Sequence, residues 1–296
     1  MMIEAERAVI TVWCARLTWA LLPVSAGVAL GDALEGWSTG PARLAAVMLW
    51  AAWTLGLVAL LVPRPWGLTA LRVVAPAAVL VALCSIWSTS AASATVAVTS
   101  AVVAAAFALS APVAQAAGNA LAYGDEIRFP LRIPLALFFG PVPLAVVLIA
   151  GGVSVGPLLL ANESYVGGAI LSVVGIALAA VLARSLHSLS VRWLVLVPAG
   201  LVVVDPLTLL DPVLMRREHI VSVERLVRTR SESGSLDLRL GTAAGTIAVE
   251  LNETHPFARR RGRRDAAMQE AAGVLVSIIR ADAFLAAAGE RRIPVS

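Results

Sequence analysis

VRWLVLVPAGLVVVDPLTLL, residues 191–210, is apolar almost from end to end. It reads either as one more membrane span or as the opening of a folded domain outside the membrane. The choice decides on which side of the membrane the basic C-terminus lies. A span over 193–210 would have to hold Pro198, Gly200, Asp205 and Pro206. Two strands account for the same residues better: WLVLV is β-branched and aromatic, PAG is turn chemistry, and LVVVD is a second strand. Asp-Pro at 205–206 and again at 211–212 punctuates the chain downstream of them. HIVSVERLVRTR, SLDLRL and TIAVEL then alternate or nearly alternate apolar and polar residues, with turns at SESG and GTAAG. That spacing predicts a small antiparallel sheet or barrel. From about 265 to 288 the pattern turns helical through Met268, Ala271 or Ala272, Leu275, Ile278, Ile279 and Leu285, with Asp265 as cap and Gly289 as stop. Residues 188–296 are therefore expected to form a β domain whose C-terminal amphipathic helix plugs an open end of the sheet.

Upstream lie long apolar runs. The chain is 59% hydrophobic and 14% charged, against about 45–50% and about 25% in an average soluble domain. A helix crossing a bilayer needs about 20 mostly apolar residues. Six such helices are expected within residues 1–187, at roughly 10–31, 44–62, 68–87, 94–114, 134–155 and 166–184. Arg16 and Arg72 lie near span ends, from which a long side chain reaches the interface. Arginine marks the N-terminal flank (Arg7), the second loop (Arg64), the fourth (Arg128, Arg132) and the chain after the sixth span (Arg184, Arg192). The first loop carries Asp32 and Glu35 with one arginine, the third no charge, and the fifth only Glu163. This alternation predicts that both termini lie on the cytoplasmic side of the membrane. Trp37, Trp50, Trp66 and Trp87 are expected at the interfaces, as in aromatic belts.

The strand pattern RWLVLVPAGLVVVD followed by VLMRREHIVSVE resembles the bacterial pleckstrin-homology-like (PH-like) domains attached to membrane spans. The correspondence rests on Gly200 in the turn and on Ile220 and Val223 in the later strand, and covers about a third of the chain. Six strands are counted here against the family's seven. The segment AYGDEIRFPLRIP, residues 122–134, is similar to one in multi-span membrane proteins of actinobacteria. The resemblance implies a PH-like fold and no particular chemistry.

Several functions are excluded. The chain has no lysine, so it has no P-loop, Schiff-base lysine or lysine base. Cys14 and Cys84 both fall in apolar runs and act as small apolar residues. His187, His219 and His255 are far apart and in no metal-ligand spacing, so no metal and no cofactor is expected. No G-x-S-x-G or zincin motif occurs, and no Asp, Glu or His lies near a span midpoint, as ion-coupled transport would need.

Three groups remain as candidate sites. Tyr123, Asp125, Glu126, Arg128, Phe129 and Arg132 make the fourth loop a docking element, with Asp125 or Glu126 meeting an arginine of the C-terminal domain. Arg259, Arg260, Arg261, Arg263 and Arg264 form a basic cluster suited to anionic lipid headgroups or a partner. Nucleic acid is not expected, because no aromatic residues interleave with these arginines. Gly152, Gly156, Gly168 and Gly175 are placed for close helix packing. The expectation is a non-catalytic accessory or scaffold subunit that contacts membrane lipids and a protein partner. The alternative is a transporter or channel component for an apolar or lipid-like substrate, its path lined by Thr95, Thr99 and Gln115.

Overall fold

The computed structural model describes residues 2–226, 234–262 and 265–296. The chain forms two compact units, Met1–Ala117 with Val142–His187, and Gly118–Pro141 with Ser188–Ser296. The helices are α1 (Met2–Ala20), α2 (Leu22–Glu35), α3 (Thr39–Leu61), α4 (Pro65–Cys84), α5 (Ala91–Ala108), α6 (Ala111–Asn119), α7 (Leu135–Phe138), α8 (Pro141–Ala161), α9 (Tyr165–Ser190) and α10 (Ala281–Glu290). The strands are β1 (Ile127–Pro130), β2 (Trp193–Val197), β3 (Gly200–Val204), β4 (Val213–Arg216), β5 (Ile220–Leu226), β6 (Ser235–Asp237), β7 (Thr246–Arg260) and β8 (Ala266–Ser277).

Among the described residues, six helical stretches are long and apolar enough to cross a membrane: Glu6–Glu35, Thr39–Leu61, Pro65–Trp87, Ala91–Ala108, Leu135–Ala161 and Tyr165–Ser190. Their bounds depart from the expected ones where proline intervenes. The first is two helices, because Pro23 in the first turn of α2 removes a donor that a continuous helix would use. The fourth ends at Ala108 instead of 114. Pro112 begins α6, and the Ser110 carbonyl accepts from the Ala114 N–H at 3.2 Å to start that new helix. The fifth is broken between α7 and α8 at Phe139 and Gly140.

The helical unit packs through small residues. Ala94, Ala97, Ala101, Ala104, Ala105 and Ala108 recur at helical spacing and form the buried face of α5. Trp19 is 1% exposed. It lies against Gly56, where even a Cβ would collide with its ring. Its indole N–H donates to the Trp53 carbonyl and the Trp53 indole to the Trp19 carbonyl, both at 2.9 Å. Trp50, expected at an interface, instead lies midway along α3 and meets Trp53 edge to face at 5.3 Å. A one-dimensional belt reading cannot separate a tryptophan on the rim from one that packs on its neighbour. Arg16 donates to the Leu60 carbonyl at 3.1 Å and stacks over Trp13, which satisfies one orphan carbonyl at the end of α3.

In the other unit β1-β2-β3-β4 form one antiparallel sheet and β5-β7-β8-β6 a second, in which only β6 and β8 run parallel. The apolar stretch at 191–210 is the β2–β3 hairpin, with Val197 opposite Gly200. Gly200 takes φ +149, and a Cβ there would run into the Met215 carbonyl. One core joins both sheets, from Leu194, Leu196, Leu201 and Val203 to Val249, Val274 and Val276. Phe284 of α10 is fully buried in it, edge to face with Phe129 at 5.3 Å.

Two strands differ from the sequence reading. Helical spacing predicts one helix over 265–288. Residues 266–277 are instead β8, paired with β7 on one side and β6 on the other. Alanine and glycine are nearly neutral to period, and pairing on both edges overrides the local helical spacing. Only residues 281–290 are helical. The other strand is β1, from the fourth loop, which pairs with β2 from Ile127↔Leu196 to Pro130↔Trp193. The two additions join the sheets: Leu131 bridges to Ile278, Arg132 N–H donates to the Ser277 carbonyl at 2.8 Å, and Ile279 N–H to that of Pro130 at 3.1 Å. Residues 118–141 thus belong with the sheet unit, not with the helices that flank them in sequence. The SESG turn falls at 231–234, of which 231–233 lie outside the described residues.

Candidate functional site

The fourth-loop residues come together as part of the sheet. Gly124 in the left-handed region turns the chain, and Glu126 N–H donates to the Tyr123 carbonyl at 3.3 Å. Arg128 is held through its backbone and one end of its guanidinium, while its Nε is buried without a partner among the described residues. Its backbone N–H donates to Asn119 Oδ1 at 2.7 Å, and its guanidinium bonds the Leu121 carbonyl at 3.0 Å and the Glu126 carboxylate at 3.1 Å. Phe129 is buried in the core. Arg132 donates to the carbonyls of Ile278 and Ile279 at 3.2 and 3.4 Å. The expected meeting with a domain arginine takes another form: Glu126 pairs within its own loop, and Asp125 accepts from Arg291 through its backbone carbonyl. The Tyr123 side chain is 88% exposed, and Asp125 is exposed beside it.

Sequence reasoning missed the ion pair at the centre of this unit. Arg192 and Asp205 are 2% and 0% exposed and bonded in a fork, Nε to Oδ1 and Nη2 to Oδ2, both at 2.8 Å. The guanidinium also donates to the carbonyls of Arg132 at 3.0 Å and Leu238 at 3.3 Å. Asp205 accepts from Leu207 N–H at 3.1 Å. All this stitches the β1 end, the β2–β3 hairpin and the segment after β6. The signal lies within residues 191–210: an arginine and an aspartate bracket an apolar hairpin, with nothing local to pair them.

The arginine cluster falls at the far end of the β7–β8 hairpin. Register slips between Glu250 and His255, and this irregularity separates two halves of β7. The second half meets the loop after β3, where Leu210 N–H donates to the Ala258 carbonyl and Arg260 N–H to that of Thr208, at 2.9 and 2.8 Å. Arg259 and Arg261 are exposed, and Arg259 reaches Gln269 Oε1 at 3.3 Å. Arg260 Nε is buried without a partner among the described residues. Arg263 and Arg264 lie outside the described residues.

Nearby Arg239 forks onto Asp237 at 2.9 and 2.7 Å. That hydrogen-bonded guanidinium holds the Asp237 carboxyl below the usual carboxylate range. Partial burial opposes the shift, and the Arg239 backbone N–H and the charges of Arg239 and Arg259 reinforce it. The same hydrogen bond raises Arg239. The sheet's own edge is in part occupied: Val223 N–H donates to the Pro294 carbonyl at 2.8 Å and its carbonyl accepts from Ser296 at 3.2 Å.

Gly152, Gly156, Gly168 and Gly175 lie where α8 and α9 cross within the chain. A Cβ on Gly152 would stand 2.6 Å from the Gly175 carbonyl oxygen, and one on Gly168 2.7 Å from Leu160 N. Thr95 bonds the Ala91 carbonyl of its own helix at 2.7 Å and is exposed, as is Thr99. No group of three metal-ligating side chains occurs among the described residues. Comparison of the chain with protein-family models, curated proteins and solved structures gives no match in any of the three.

Proposed function

We propose that the chain is a non-catalytic integral protein of the bacterial inner membrane, with six spans and both termini cytoplasmic. Its sheet unit acts as a PH-like module in an accessory or scaffold subunit. The arginine end of the β7–β8 hairpin meets anionic lipid headgroups and an acidic face of a protein partner. The observation that carries the reading is the pairing of six membrane-length apolar helices with a separate sheet unit whose Arg259 and Arg261 are exposed at one hairpin end. Basic residues close to a membrane face are worth about 1 kcal/mol each toward anionic lipid.

The test uses the full chain. Removing everything after Ser188 would leave β1 without β2, its partner strand. Crosslinking in native membranes is compared between the unaltered protein and the Arg259→Glu, Arg261→Glu double variant. One partner captured in fixed proportion by the first and lost from the second supports the reading. Equal capture by both, or none by either, overturns the role given to the hairpin.

A further inference from the structure

The helical unit contains a half-open cavity of about 310 Å³. It runs along one face of α2, from Leu22 through Ala26 and Leu30 to Leu34, which at 1.5 Å per residue is about 18 Å. Trp50 and Trp53 of α3 wall it, and small residues of α4 and α5 form its floor. Every lining residue is apolar or glycine. The indole N–H groups of Trp19 and Trp53 are spent on each other's carbonyls, which leaves the indole of Trp50 as the one remaining side-chain donor among the lining residues.

These facts select the occupant. A column of water would need two to four polar partners per molecule, and this lining supplies almost none. A partner's membrane helix, about 10 Å across with its side chains, could place only a row of side chains in this volume and not its backbone. A single alkyl chain matches the length, the narrowness and the uniform chemistry. We propose that the cavity between α2 and α3 holds one acyl chain of a membrane phospholipid. This rests on the membrane reading of the six helices. Gly27 and Gly31 both line it, and a Cβ on either meets nothing within 4 Å, so larger side chains at these positions have room to enter the space.

The experiment reconstitutes the full chain in vesicles of phosphatidylethanolamine carrying a diazirine on one acyl chain. After irradiation the adducts are mapped by peptide mass spectrometry. The expected result is adducts concentrated on the cavity residues of α2 and α3, above the level on outward-facing residues of α8 and α9 such as Val173 and Val174. The Gly27→Leu, Gly31→Leu variant should lose the cavity adducts, keep those on α9 and melt no lower than the unaltered protein. Adducts spread evenly over cavity and outer faces overturn the proposal, even if the variant fails to fold. So do cavity adducts that persist in a folded variant. Labelling of the cavity by free diazirine fatty acid but not by the phospholipid also overturns it. A chain that carbonate washes from the vesicles fails the membrane reading instead, which separates the two.

Discussion

At the scale of single residues, the buried Arg192–Asp205 pair is the most consequential feature. Breaking such a pair from one side leaves a buried charge uncompensated and costs about 3–5 kcal/mol. Asp205→Ala should therefore destabilise the sheet unit by about that amount in thermal unfolding. Replacing both partners with apolar residues of similar volume should restore most of the loss, because the penalty is the orphaned charge and not the missing attraction. Asp237 gives a pH signature of smaller size, since its side chain is 45% exposed. Its folded-state value is lowered, so the pair's contribution is complete above the unfolded carboxylate range, about pH 4, and is lost as pH falls through the folded value. Melting temperatures of the unaltered protein and Asp237→Asn should differ at neutral pH and converge in acid. A constant difference down to the lowest pH would contradict the assignment. The second pair is local, two residues apart on the chain, whereas the first leaves in the sequence only an arginine and an aspartate that bracket an apolar run. In the first, 13 residues separate Arg192 from Asp205 and only the hairpin brings them together.

Among the elements, the α8–α9 crossing depends on glycine. Gly152 and Gly175 stand backbone to backbone, and any side chain must push the helices apart. Gly175→Leu should cost at least the roughly 1–3 kcal/mol typical of overpacking and lower the melting temperature in detergent. Gly151→Leu on the same helix pair is the control, since a Cβ there meets nothing within 4 Å. The small-residue spacing announces this contact in the sequence, because packing at fixed helical intervals is local information. The strands are less legible. The β2–β3 hairpin declares itself through β-branched runs around a turn. β8 does not, because the spacing of its apolar residues is helical and its state is chosen by β7 and β6 on either side. β1 does not either, because four residues between helices become a strand only by finding β2 far along the chain.

Across the whole molecule, the arginine alternation predicts which loops face which side. In a background lacking Cys14 and Cys84, Ser164→Cys should react with an impermeant thiol reagent on intact cells. Asn252→Cys should react only after permeabilisation. The opposite pattern would invert the topology. Residue order alone is enough to establish that there are six membrane-length apolar helices, that the apolar stretch at 191–210 is a hairpin and not a seventh, and that the arginines gather on the C-terminal part. Each follows from composition or from a repeat within a few neighbouring residues, and solvent preference acts residue by residue. It takes the folded chain to show that residues 118–141 join the sheet, that 266–277 extend as a strand, that Arg192 finds Asp205, and that Trp50 walls a cavity. Those outcomes rest on pairing between distant segments, where the free energy of hydrogen bonding and burial is gained only once both partners are in place, and no local pattern encodes it.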